Sequence, residues 1–215
     1  NDGLEQGVGI YVDGVYNSRP GSALSDFIDI ARVEVLRGPQ GTLFGKNTTA
    51  GAPNIITILF DDTGFSHFGC YGSTIATPNI DRLAAGGLRY TNFHTTALCS
   101  PTRAALLTGR NHHSVGMRGL SNWNTVFPNC TGSVAKSAAT MAEMLRPVGY
   151  STFAVGKWHV TPMEETSAAG PFDQWPLGRG FDRYYGFLQG ESDQFVPELY
   201  YDNHPVDPPR APPEG

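Results

Sequence analysis

The pattern of hydrophobic and polar positions along the chain changes near residue 52. Before it, short apolar bursts alternate with turn residues. Residues 10–12 and 15–16 flank the dipeptide Asp13-Gly14, an arrangement typical of a β-hairpin. Beyond it, apolar runs are longer and strand-like stretches alternate with helix-like ones. The chain is therefore predicted to have two segments, residues 1–52 and 53–215.

The second segment alternates predicted strands and helices. Residues 54–60 form a nearly continuous apolar run, which predicts a strand buried on both faces, as in a parallel sheet. Pro78 begins a helix that is capped by Thr77 and ends at Gly86 or Gly87. Further elements are predicted as strands at 88–93 and 151–155 and as helices at 101–108 and 141–146. This alternation predicts an α/β protein, with a mostly parallel sheet flanked by helices.

Composition narrows the possible functions. The chain is 40% hydrophobic and 16% charged with a net charge of −5, so no nucleic-acid partner is expected. No apolar run approaches the roughly 20 residues of a membrane-spanning helix. The first residues lack the basic and apolar regions of a secretory signal, and we expect the chain to begin in mid-fold. The sequence contains three cysteines. Because this number is odd, at least one thiol needs an explanation other than a disulfide.

Three groups of polar residues are predicted to meet in space. Asp61 and Asp62 follow the first predicted strand, and Lys157-Trp158-His159 follow the strand that ends at Val155. Open α/β sheets gather such groups at the carboxyl ends of parallel strands. The run from Cys99 to Arg103 lies where a loop enters a helix, and a helix N-terminus favours anions.

The residue types fit a metal ion and an oxyanion. Adjacent carboxylates such as Asp61 and Asp62 suit Ca²⁺ or Mg²⁺, while Lys157 and Arg103 suit a tetrahedral anion. Each group also has a structural interpretation. The two carboxylates are compatible with a turn, the basic groups with a solvated strand end, and Cys99 with an inert buried thiol.

Residues 99–110 read Cys-Ser-Pro-Thr-Arg-Ala-Ala-Leu-Leu-Thr-Gly-Arg, and residues 156–159 read Gly-Lys-Trp-His. These two stretches resemble the first and second signatures of the sulfatase family, in particular of the arylsulfatases. Residues 53–62 and 77–84 are similar to the opening of the family. Residues 178–182 and 185–187 are similar to a further arylsulfatase stretch. The resemblance covers residues 53–215 and implies the alkaline-phosphatase-like α/β fold, here truncated to the N-terminal part of the domain.

The resemblance also implies roles for individual residues. Cys99 would be converted to formylglycine by the formylglycine-generating enzyme, and the hydrated aldehyde would attack the sulfur of a sulfated small molecule or glycan. Asp61 and Asp62, with the modified Cys99, would hold a metal, Ca²⁺ or alternatively Mg²⁺. Arg103 would hold the diol, Lys157 would contact sulfate and His159 would assist deprotonation of the diol.

Two other pairs are weighed as site candidates. His112-His113 could line the substrate mouth or be structural, whereas Asp202-Asn203 is interpreted as part of a loop. The family's downstream Asp-Asn pair and later His and Lys are not found in the sequence. The site is therefore expected to be incomplete.

The first segment carries a resemblance of its own in residues 11–15, which read Tyr-Val-Asp-Gly-Val, and in residues 30–47. On these stretches, residues 1–52 resemble part of the plug domain of bacterial TonB-dependent outer-membrane receptors. Three alternatives thus stay open beside a sulfate-ester hydrolase: a phosphate-ester hydrolase of the same superfamily, a non-enzymatic receptor plug fragment carrying a passenger, and an inactive truncation. The resemblances imply a periplasmic or secreted location for residues 53–215 and the outer membrane for the plug-like part.

Overall fold

The computed structural model describes residues 54–125 and 127–208, together with the backbone of residues 10–12 and 15–17. Strand β1 (Ile10–Val12) pairs antiparallel with β2 (Val15–Asn17), which confirms the predicted hairpin. Its turn and the remainder of the plug-like segment lie outside the described residues.

Within residues 54–125 and 127–208, three α-helices occur in the order expected from the sequence. Helix α1 spans Pro78–Gly86, with Thr77 at its N-cap. Helix α2 spans Cys99–Thr108, so it begins two residues earlier than predicted and places Cys99 in its first turn. Helix α3, Met141–Leu145, starts with a reciprocal capping box between Thr140 and Glu143. No helix among the described residues has the length and apolar character needed to cross a membrane.

A four-stranded mixed sheet lies beside these helices. Its strands are β3 (Phe153–Lys157), β4 (Arg183–Phe187), β5 (Leu199–Tyr201) and β6 (His204–Val206), in the spatial order β3-β4-β5-β6. The pairing of β3 with β4 is parallel, and the two other pairings are antiparallel. The predicted strand at 151–155 is therefore shifted by two residues, so that Lys157 ends β3.

Two predicted strands are absent from the structure, and those predictions were wrong. Residues 54–60 and 88–93 are irregular, and the side chains of Ile56 and Leu88 are 83% and 71% exposed. A strand needs a neighbouring backbone with which to exchange hydrogen bonds. Among the described strands, none pairs with either segment, so the apolar run at 54–60 is extended without being buried.

The hydrophobic core joins α2, α3 and β4 through Ala104, Ala142 and Tyr184, each at most 2% exposed. Aromatic rings fill the space between these elements. Trp158 packs edge-to-face on Phe181, with 5.7 Å between the ring centroids. Such pairs combine a large buried area with a defined geometry, so the core fixes the segment that follows β3.

Arg179 links the loops around this core. Its guanidinium, 2% exposed, donates hydrogen bonds to the carbonyls of Val134 and Ala138, both at 2.7 Å. It also donates to Gln174 Oε1 at 3.1 Å and to Glu143 Oε2 at 3.2 Å. A buried cation with this many partners holds α3 and the adjoining loops in one arrangement.

Arg179→Ala is expected to lower the free energy of unfolding by about 3–5 kcal/mol, because it leaves a carboxylate and two carbonyls without their buried partner. Denaturant titration measures the change. Lys136→Ala is the matched control, because Lys136 forms a surface ion pair with Asp173 and is 69% exposed. Its loss should cost at most about 1 kcal/mol. Equal losses in the two variants would contradict the structural role given to Arg179.

Candidate active site

The carboxyl ends of β3 and β4 position the first part of the site. Lys157 is the last residue of β3, and the chain then continues alongside the end of β4. The N–H of Trp158 donates to Phe187 O, and the N–H of His159 donates to Leu188 O, both at 3.0 Å. These bonds fix the basic segment at the edge where α/β proteins gather functional groups.

Cys99 faces His159 from the first turn of α2. Its Sγ lies 3.0 Å from Nδ1 of the imidazole. The next residue, Ser100, is fully buried and accepts a hydrogen bond from the N–H of Ser121 at 3.1 Å. This bond anchors the start of α2, so the thiol is held against the imidazole by two well-packed elements.

Arg103 lies one helical turn after Cys99 and therefore on the same side of α2. One of its terminal nitrogens, Nη1, donates to the carbonyl of Lys157, and the other, Nη2, lies 3.4 Å from Asp61 Oδ1. The guanidinium thus joins α2, the end of β3 and the segment after residue 60. The Nε atom of Arg103 is buried without a hydrogen-bond partner in the structure.

Asp61 completes a network of ionised groups. Its Oδ2 accepts a hydrogen bond of 2.7 Å from Lys157 Nζ, and the side chains of Asp61 and Lys157 are 44% and 10% exposed. Burial alone would raise the pKa of Asp61. The hydrogen bond and charge of Lys157, with those of Arg103, outweigh burial and hold its pKa below the usual 3.8.

His159 is buried and neutral. The residue is 3% exposed and adopts a left-handed backbone with φ of 53°. Burial lowers the pKa of His159 to about 4. The positive charges of Lys157 and Arg103 also lower this pKa, whereas the negative charge of Asp61 raises it. A neutral imidazole can accept the thiol proton at Nδ1 or donate its own proton to sulfur.

The predicted metal ligands are not assembled into a cluster. Within residues 54–125 and 127–208, no group of three or more His, Cys, Asp and Glu side chains is arranged to hold a metal ion. Asp61, Asp62 and Cys99 are therefore not a preformed three-residue site, and Asp61 pairs instead with two cations. The two adjacent, exposed carboxylates still fit a hard cation in donor type, as part of its ligand shell.

Of the two further candidate pairs, His112-His113 lies beyond the opposite end of α2 from Cys99. A ten-residue helix is about 15 Å long, so these rings are remote from the thiol. Their ring centroids are 4.3 Å apart, and His112 Nδ1 lies 2.9 Å from Met117 O. This packing favours the structural interpretation of the pair.

Asp202 lies in the turn between β5 and β6. Its carboxylate accepts from the N–H of Tyr184 at 3.0 Å and from Arg183 Nη1 at 2.5 Å. The side chain thereby joins the hairpin to β4, so the structure gives it a structural role. The prediction that Asp202-Asn203 belongs to a loop agrees with this turn.

Two residues in contact with the site were not singled out from the sequence. The hydroxyl of Tyr184 donates to the carbonyl of Gly156 at 3.0 Å, just before Lys157. Gly190 lies directly against the imidazole of His159. Neither residue carries a local signal, because both act through contacts between segments that are about thirty residues apart in the sequence.

Comparisons with known proteins show which families the two segments resemble. A family model described as Sulfatase matches residues 53–209. A second model, described as TonB-dependent Receptor Plug Domain, matches residues 2–52.

Individual relatives show the same likeness. An uncharacterized sulfatase of Schizosaccharomyces pombe is 36% identical over 178 residues, which is 76% of this chain and 32% of the relative. Human steryl-sulfatase and human arylsulfatase A are each 41% identical, covering 66% and 64% of this chain and 24% and 25% of their own. The chain thus spans about a quarter to a third of these relatives' length.

Solved structures also match. A structure from work on glycosaminoglycan metabolism by Bacteroides thetaiotaomicron superimposes with a TM-score of 0.53 at 33% identity, covering 68% of this chain and 30% of that one. Ps i-CgsB in complex with k-i-k-neocarrahexaose gives a TM-score of 0.51 at 37% identity, covering 62% and 27%. These matches confirm the predicted α/β fold class.

The pKa of His159 predicts a specific pH dependence of stability. Between about 4 and 6.5 the unfolded chain binds a proton at this residue and the folded protein does not. The free energy of unfolding should therefore fall as the pH is lowered through this window, by up to about 3 kcal/mol. Chemical denaturation at a series of pH values measures the slope.

His159→Gln should remove this contribution and flatten the profile between those pH values. The contribution of Asp61 is lost only at lower pH, because its pKa is already below 3.8. An unchanged slope in His159→Gln would mean that another group causes the dependence.

Proposed function

The chain belongs to the sulfatase family, and from this premise we propose that it hydrolyses sulfate esters at Cys99 after conversion of that residue to formylglycine. The observation that carries the proposal is the position of Cys99 Sγ, 3.0 Å from His159 Nδ1. Cys99 is also the first residue of the helix that carries Arg103. A nucleophile, a proton acceptor and cationic groups therefore occupy one site.

The modified side chain would supply a hydrated aldehyde. One hydroxyl would attack sulfur and expel the alcohol of the ester, and deprotonation of the second would release sulfate and restore the aldehyde. The remaining steps fall to the residues around it. The neutral imidazole of His159 accepts a proton at Nδ1, the atom that faces residue 99. Arg103 and Lys157 provide positive charge for the sulfate oxygens. Their side chains are only 12% and 10% exposed, so little competing water surrounds them.

Asp61 and Asp62 would hold the divalent cation, Ca²⁺ or alternatively Mg²⁺, as part of its ligand shell. When bound, the cation neutralises charge on sulfate and lowers the pKa of the nucleophile. Asp61 now pairs with Lys157 at 2.7 Å. Transfer of its carboxylate to a cation would release the Lys157 ammonium to pair with the sulfate anion.

The substrate class that we propose is a sulfated small molecule or glycan. Steryl-sulfatase among the relatives supports the first, and the solved complex with neocarrahexaose supports the second. The modifying partner would be a formylglycine-generating enzyme that recognises Cys99 with Pro101 and Arg103. We place residues 53–215 in the periplasm or outside the cell.

We also propose that the chain has two parts, a plug-like segment at 1–52 and the N-terminal part of a sulfatase domain at 53–215. The match of the plug model to residues 2–52 supports a second candidate, a receptor fragment without enzymatic activity. This candidate predicts no hydrolysis of any sulfate ester. A phosphate-ester hydrolase would instead prefer an aryl phosphate to the matching aryl sulfate.

Cys99→Ala should reduce hydrolysis of an aryl sulfate by at least about 1000-fold, because it removes the nucleophile. The assay compares initial rates for the unaltered chain and the variant with the aryl sulfate and the matching aryl phosphate. Cys130→Ala is the control, because the Cys130 thiol lies 3.5 Å from Trp123 O, in a loop outside the candidate site. This variant should retain full activity. No sulfate-ester hydrolysis by the unaltered chain, or equal rates in Cys99→Ala, would refute the proposal.

Calcium is expected to raise the melting temperature of the chain by a few degrees at saturation, since it binds the folded protein in preference to the unfolded one. Asp62→Asn should abolish the rise, whereas Asp207→Asn, another exposed carboxylate, should retain it. This shift reports binding without requiring turnover. Equal shifts in both variants would exclude Asp62 as a ligand.

A further inference from the structure

Gly190 makes direct contact with the imidazole of His159. A Cβ atom added to Gly190 would lie 2.6 Å from Cε1, 2.9 Å from Nε2 and 3.1 Å from Nδ1 of that ring. All three of its nearest neighbours thus belong to one side chain. We propose that Gly190 is a positioning residue, whose missing side chain leaves the space in which the ring lies against Cys99.

Backbone conformation does not account for a glycine at this position. Gly156 and Gly180 have φ angles of 95° and 92°, in the left-handed region that favours glycine. Gly190 is not among the described residues with a positive φ, so alanine can adopt its backbone conformation. The constraint is therefore the space beside the imidazole.

The imidazole has little freedom to avoid an added methyl group. His159 is 3% exposed, and its backbone N–H donates a hydrogen bond to Leu188 O at 3.0 Å. Leu188 lies two residues before Gly190, so one short loop holds the backbone of His159 and also contacts its ring. Well-packed interiors respond to an extra methyl by side-chain displacement and strain. The ring would therefore shift and lengthen the 3.0 Å contact between Nδ1 and Cys99 Sγ.

The catalytic role of His159 at residue 99 rests on the proposed function. The steric contact between Gly190 and the imidazole does not, because it exists whether or not the chain turns over a substrate. Its test therefore uses the reactivity of the Cys99 thiol. The full chain is prepared without the formylglycine-generating enzyme and treated with iodoacetamide. Mass spectrometry of peptides then gives the alkylation rates of Cys99, Cys70 and Cys130 in the same sample, because all three are free and partly buried.

Gly190→Ala should slow alkylation of Cys99 about fivefold, the loss expected when one hydrogen bond of ordinary strength to the attacking group is broken. The rates at Cys70 and Cys130 should not change. His159→Ala should slow Cys99 to a similar extent, and adding Gly190→Ala to it should have no further effect. An unchanged Cys99 rate in Gly190→Ala, or the same fivefold loss in the His159→Ala background, would overturn the inference.

Gly178→Ala is the control for general damage to the fold. A Cβ at Gly178 would lie 2.3 Å from Phe172 O, so the substitution is disruptive but has no contact with His159 among its nearest atoms. The folded fraction of this variant should keep the unaltered Cys99 rate. Slowing equal to that of Gly190→Ala would overturn the inference.

Stability provides a second readout if Gly190→Ala folds poorly. The melting temperature should fall in Gly190→Ala, whereas the double variant with His159→Ala should melt at the temperature of His159→Ala alone. A further drop in the double variant would show that the methyl group clashes elsewhere and would overturn the inference. Sulfate-ester hydrolysis enters none of these measurements, so failure here leaves the proposed function to its own test.

Discussion

Close packing of two backbones fixes the edge of the sheet on which the site is built. A Cβ at Gly186 would lie 2.0 Å from the carbonyl oxygen of Gly156, its partner in the parallel pair of β3 and β4. Only glycine allows the strands to approach so closely. The hydroxyl of Tyr184 donates to the same carbonyl. The next residue is Lys157, so this contact determines where the basic segment leaves the sheet.

From that edge, electrostatics organises the remaining groups. Lys157 and Arg103 share the single carboxylate of Asp61, so the site holds more positive than negative charge in this trio. Burial, together with the same two cations, lowers the pKa of His159 and keeps the imidazole neutral near pH 7. A surplus of positive charge suits an anionic ester, and a neutral imidazole suits proton transfer. One arrangement of charges thus supports both requirements of the proposed chemistry.

Much of the site could be predicted from local sequence. Pro101 in a first turn and Gly109 at a left-handed C-cap delimit α2, and this helix positions Cys99 and Arg103 on one side. The run at 54–60 was misjudged because apolar character predicts burial but does not supply a pairing strand. The pairing of Asp61 with Lys157 depends on two segments 96 residues apart, and no local pattern predicts it. The contact of Gly190 with His159 was missed for the same reason, since a glycine without positive φ carries no sequence signal of its purpose.

We propose that residue 99 acts as a formylglycine in a sulfate-ester hydrolase. The most direct measurement is the mass of the peptide that contains residue 99, taken from a preparation that hydrolyses an aryl sulfate. We expect the mass of an aldehyde at this position, together with reaction of that peptide with a carbonyl reagent. An intact thiol at residue 99 throughout an active preparation would refute the formylglycine role.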